Sequence, residues 1–247
     1  MTRQLRAELL KLRTTRTFWA LTGTTIGLVV LITVLTLALA PDSDLRSEGD
    51  VRGVLSTAGA SGILLLVLGA VFGAGEYRHG TIASTLLVTP DRLRVMAAQA
   101  LGCGIAGAAV GLAAGAVTAA IALPWLTVLD ATALSVGELL GLFAGGVLYT
   151  ALATALGAGV GALLRNQAAA IVLLLVILFV IDPVVTALVE DYGRYSLSGL
   201  GAALIGGTAD EAGVNELPPF WLAALLWAGY TTLLVSAAAV LTSRRDI

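Results

Sequence analysis

Few side chains in this sequence could do chemistry, and each stands almost alone. The chain has one histidine, His79, one cysteine, Cys103, and one lysine, Lys11. With a single histidine, no histidine-based metal cluster or Ser-His-Asp triad is built. Lys11 lies in a Leu-Lys-Leu context without glycines, so no GxxxxGK[ST] loop is present to cradle a nucleotide. Cys103 sits in an apolar run with no neighbour that would favour a thiolate, and reads as a small core residue. Asp182, followed by Pro183, is the one acid inside an otherwise apolar run, and Tyr149 is the notable polar aromatic of another. Chemistry within a membrane would need at least a pair of ionisable groups at depth. No enzyme, cofactor or metal is therefore expected.

These residues are set in an unusually apolar chain. Of 247 residues, 58% are hydrophobic and 12% charged, with a mean hydropathy of +0.96. A soluble domain carries about 25% charged residues, so this is an integral membrane protein. Charge-free intervals occur at 17–41, 53–75, 95–129, 139–164, 166–181 and 217–243. A span needs about 20 apolar residues; the fifth interval reaches that only by running through Asp182. The fold expected is all-α, a single membrane domain with six spans at 17–41, 53–76, 90–123, 138–164, 168–189 and 219–243.

Basic residues orient the spans. With the N-terminus in the cytoplasm, inner segments hold Arg3, Arg6, Lys11, Arg13, Arg16, Arg78, Arg92, Arg94, Arg165, Arg244 and Arg245, and outer ones only Arg46, Arg52 and Arg194. Both termini then face the cytoplasm. Ala38-Leu39-Ala40 looks like a signal cleavage site, but the apolar region before it is long and Pro41 would follow the cut, so 18–40 reads as a retained span.

Between the spans, 1–16 is basic with Leu5, Leu9 and Leu12 on one stripe. That predicts a helix on the inner membrane surface, with Arg3, Arg6, Lys11, Arg13 and Arg16 near headgroups, or else a disordered basic tail. Residues 42–52 read as a short acidic outer loop. The longest outer segment, 190–219, places Leu197, Leu200 and Leu204 on one face and predicts a short helix before the sixth span. Gly69/Gly73, Gly107/Gly111/Gly115, Gly141/Gly145 and Gly157/Gly161 form small-residue ridges that let helices approach closely. Pro124 and Trp125 are expected to end the third span. Asp182, about 21 Å along from Ala168 at 1.5 Å per residue, either marks a functional site or caps the short helix that Pro183 starts.

The polar island 76–94, EYRHGTIASTLLVTPDRLR, stands out. Gly80 can stop one helix and Thr81 cap the next, with Ile82 and Leu86 on one face; Thr89, Pro90 and Asp91 then read as the start of the third span. The pattern fits a small exposed helix for a soluble partner, or a plain solvated connector.

The run Glu76-Tyr77-Arg78-His79-Gly80-Thr81-Ile82, with Leu86, Leu87, Val88, Thr89, Pro90 and Arg92 after it, resembles the loop between spans two and three of type-2 ABC transporter permeases. Glu8-Leu-Leu-Lys-Leu-Arg is similar to the segment ahead of the first span in that family, and the order of elements matches along the chain. The resemblance implies a permease subunit of an ATP-driven exporter, paired with an identical or related subunit and powered by a separate soluble ATPase. The loop helix would be the coupling helix, with Glu76 and Arg78 in polar contacts and Ile82, Leu86 and Leu87 in an apolar groove of the ATPase. Glu76 is equally suited to pair within its own loop. Asp182 and Tyr149 would be candidates for the transport pathway. Gln99 stands near where many members of the family carry a lysine. A non-transporting membrane subunit and a small ion-coupled carrier are the alternatives, and nothing points to nucleic acid.

Overall fold

The computed structural model describes residues 2–41, 45, 47–78, 80, 82, 87, 91–189, 191–210 and 212–244, and among them there is no strand. The chain begins with α1 (Thr2–Thr14) and α2 (Arg16–Leu39). α3 (Glu48–Ser56) passes through a 3-10 turn, Thr57–Ala60, into α4 (Ser61–Arg78). α5 (Arg92–Val128) and α6 (Val136–Leu164) follow. α7 (Gln167–Val176) continues through a π turn, Ile177–Ile181, into α8 (Asp182–Leu188). Two short helices, α9 (Tyr192–Tyr195) and α10 (Leu197–Ile205), precede α11 (Phe220–Arg244). Six of these units are long and apolar enough to cross a membrane: α2, α3 with α4, α5, α6, α7 with α8, and α11. This is an all-α membrane protein.

The centre of the bundle is the crossing of α4 and α6, where glycine ridges face each other. A Cβ added at Gly69 would lie 2.0 Å from the Thr154 carbonyl oxygen, and one at Gly73 2.1 Å from that of Ala158. Reciprocally, a Cβ at Gly157 would lie 2.0 Å from the Leu66 carbonyl and one at Gly161 2.3 Å from that of Ala70. Backbone thus packs on backbone over two turns, which only glycine permits. Gly107 and Gly111 of α5 make similar room for Thr154 and Thr150 of α6. Within this chain Gly141 meets no other group, while Gly145 admits the Leu204 carbonyl of α10.

Several boundaries differ from the expected ones, each for a local reason. Residues 48–52 belong to a helix rather than a loop. Ser47 and Asp50 form a reciprocal capping box, and Val51, Val54 and Leu55 are buried against Leu37, Ala122 and Leu126. α5 starts at Arg92, with Asp91 as its cap accepting from the Arg94 N–H at 3.0 Å; the expected cap Thr89 and first-turn Pro90 lie outside the described residues. α5 also runs past Pro124 to Val128. Proline removes one hydrogen bond and kinks a helix, but Ala122 and Leu126 on either side are held in the core. The fifth span is not broken at Asp182-Pro183: the Asp182 N–H bonds the Ile177 carbonyl, five residues back, and the widened turn carries the helix through.

The N-terminal helix lies on protein. Leu12 is buried and packs with Phe18, Leu65, Leu68, Cys103 and Ala106, while Leu9 borders the same cluster. Phe18 turns inward, and Trp19, 60% exposed, donates to the Arg13 carbonyl at 2.9 Å. α10 lies between spans five and six as expected, with Leu200 and Leu204 buried against α6 and α11.

Candidate functional site

Alternating spans bring the foot of the 76–94 stretch together with two other turns at one end of the bundle. Lys11 of α1 reaches Glu76 at the end of α4 at 2.5 Å and Glu8 of its own helix at 2.6 Å. Arg78 donates to the Gln167 side chain at 2.7 Å, at the start of α7. The Arg165 guanidinium, at the end of α6, sits 4.9 Å from the centre of the Tyr77 ring. Gln99 of α5 donates to the Phe72 carbonyl at 3.2 Å. A cavity of about 640 Å³ opens among Glu8, Lys11, Glu76, Arg78, Gln99 and Gln167.

The electrostatics at this end follow from two carboxylates sharing one ammonium. Burial raises the Glu8 carboxyl above its usual range, outweighing the pull of Lys11. Burial lowers Lys11, but its hydrogen bonds to Glu76 and Glu8 prevail, and its value is raised. Glu76 is 8% exposed, so removing its lysine would leave a nearly buried carboxylate facing a second one.

The remaining residues expected in this stretch are placed as follows. Gly80 turns the chain at φ +67°, and its N–H donates to the Tyr77 carbonyl at 3.3 Å. Ile82 is 3% exposed, packed with Val95, Met96, Ala162, Ala238 and Ala239. It is therefore an internal anchor of the stretch and does not offer its side chain outward. Leu87, by contrast, is 85% exposed. Arg92 opens α5 and is half-buried. His79, Thr81, Leu86, Thr89 and Pro90 lie outside the described residues. Arg6, Arg13 and Arg16 are exposed along α1 and the start of α2; Arg3 is within α1.

The opposite end holds the second polar constellation. Asp182, 2% exposed, accepts from the Tyr192 hydroxyl at 2.9 Å on Oδ1, and from the Ser198 N–H at 3.1 Å and hydroxyl at 3.0 Å on Oδ2. It does not cap its own helix, where no side-chain cap bond forms. It satisfies a free N–H in the first turn of α10 instead. Tyr149 makes no hydrogen bond among the described residues. Its ring fits between Gly62 and Gly201 and meets Trp227 edge-on at 5.6 Å. Also at this end, Arg52 pairs with Glu138, tying α3 to α6. The sequence signal for that pair was slight: Glu138 completes a capping box with Ser135, but nothing local names Arg52 as its partner.

Neither the models of known protein families nor the curated proteins with which the chain was compared give a match.

Proposed function

We propose that the chain is the permease subunit of an ATP-driven exporter of the type-2 ABC class, working as a pair of membrane subunits with a separate soluble ATPase docked on 76–92. The observation that carries this reading is the triple tie at the foot of that stretch: Glu76 to Lys11, Arg78 to Gln167, and Tyr77 to Arg165. A force applied to the stretch is thereby passed to α1, α6 and α7 as well as to α4. Leu87 offers an outward apolar contact of the kind a soluble partner covers, while buried Ile82 fixes the stretch to the bundle. The Lys11 end would face the cytoplasm of the cell membrane, in keeping with its excess of arginine. Closure of the ATPases on ATP would tilt the coupled spans and switch a cavity between the two permeases from inward to outward access. The cargo would be a small or amphipathic molecule.

The test is Leu87→Asp. The variant is expected to insert normally yet lose co-purification with an ATPase encoded beside it and the ATP turnover linked to transport. Retention of both would overturn the docking assignment.

A further inference from the structure

The second constellation borders a cavity of about 650 Å³ between α4, α6, the π turn and α10, a size that suits a small organic ligand. Its walls are mainly apolar, with Ile63, Leu178 and Phe179 among them. Asp182 and Asp210 line it, and no lysine, arginine or histidine does so among the described residues. Among the described residues Asp182 receives three neutral donors and no cation, whereas a carboxylate has about four acceptor positions. A buried carboxylate is ordinarily matched by a positive charge. The Tyr149 ring, held in its glycine slot, lines the same cavity and adds a surface of the kind that attracts cations. The widened π turn that contributes Leu178 and Phe179 is a feature frequent at functional sites.

We propose that this cavity binds the ammonium group of an amphiphilic organic cation, with Asp182 as its counter-charge and the apolar walls around its body. Three neutral donors orient the carboxylate without neutralising it, and the unmatched charge and the apolar walls select together for a molecule carrying both characters. The role of the cavity as a cargo site rests on the exporter reading above; binding itself does not.

The experiment uses the full chain in phosphatidylcholine nanodiscs, without ATPase or ATP, and dansylcadaverine, a fluorescent primary amine, as probe. Saturable binding above that of empty discs is expected. It should weaken at least about tenfold in Asp182→Asn, the loss expected for one charge-assisted contact. Ile63→Trp, which fills the cavity and leaves the carboxylate in place, should abolish it, and the uncharged N-acetyl derivative should not bind saturably. Absence of saturable binding, equal affinity in Asp182→Asn, or equal binding of the acetylated probe would each overturn the proposal. Should Asp182→Asn fail to assemble, Ile63→Trp decides: retained binding overturns it. Repeating the titration with phosphatidylethanolamine in the discs separates two sources of the ammonium. Competition identifies the lipid headgroup, and unchanged affinity a free amphiphile; either keeps the site. Failure here would leave the Leu87→Asp result untouched, so the two readings fall separately.

Discussion

The only lysine of the chain, Lys11, meets Glu76 at 2.5 Å across 65 positions of sequence, joining the N-terminal helix to the last turn of α4. The Lys11 side chain is half-exposed while that of Glu76 is nearly buried, so the pair is fixed from the glutamate side. Lys11→Met is expected to loosen α1 by about 1–2 kcal/mol, between the values for exposed and buried pairs. Trypsin should then cut after Arg13 or Arg16 faster than in the parent. The double variant Lys11→Met/Glu76→Met should recover part of the protection, since the nearly buried carboxylate that faced the lysine is then removed with it.

The glycine crossing separates two outwardly similar changes. Gly157→Ala places a methyl group 2.0 Å from the Leu66 carbonyl, forcing α4 and α6 apart at an expected loss of about 1–3 kcal/mol. Gly141→Ala points into open space and should leave stability unchanged or raise it by up to about 1 kcal/mol through helix propensity. Thermal unfolding in detergent compares them.

Asp91→Ala removes the cap of α5 and should cost about 1 kcal/mol. Hydrogen exchange of the amides of Arg92, Leu93 and Arg94 should quicken, with the far end of the helix unaffected.

Alkaline pH tests the anchoring of α9 on Asp182. Burial first, and its hydrogen bond to Asp182 second, push the Tyr192 phenol from 10.0 to about 12. A value raised in the folded state contributes stability that is complete below pH 10.0 and disappears as pH climbs through about 12. Ultraviolet titration should show a late-ionising tyrosine component that shrinks by one residue in Tyr192→Phe, and the loss of stability across this window should be smaller in that variant.

The six spans were legible because lipid forbids charge, so the intervals between charged residues mark them before any packing is known. Their ends were less so. α3 is hidden by Glu48, Asp50 and Arg52, which read as an outer loop until Val51, Val54 and Leu55 are seen buried against Leu37 and Leu126. Pro124 and Pro183 look like stops, yet tertiary packing in one case and a π turn in the other carry the helices through. The glycine ridges at 69/73 and 157/161 were readable as ridges, but not as partners of each other. Of the candidate site, Glu76, Tyr77 and Arg78 could be named from their order along the chain, whereas Lys11, Arg165 and Gln167 as their partners could not. Long-range pairs leave no local spacing to read, and the inward direction of Ile82 depends on where α11 lies.

Because α4 and α6 touch through their backbones, there is no layer of side chains between them to slide or absorb strain. At that crossing the two helices are expected to move together. One tip carries Glu76, Tyr77 and Arg165, and the other reaches Ile63 and Tyr149 in the wall of the cavity beside Asp182. Under the exporter reading, a tilt imposed at the first tip would be carried to Ile63 and Tyr149 by this contact itself.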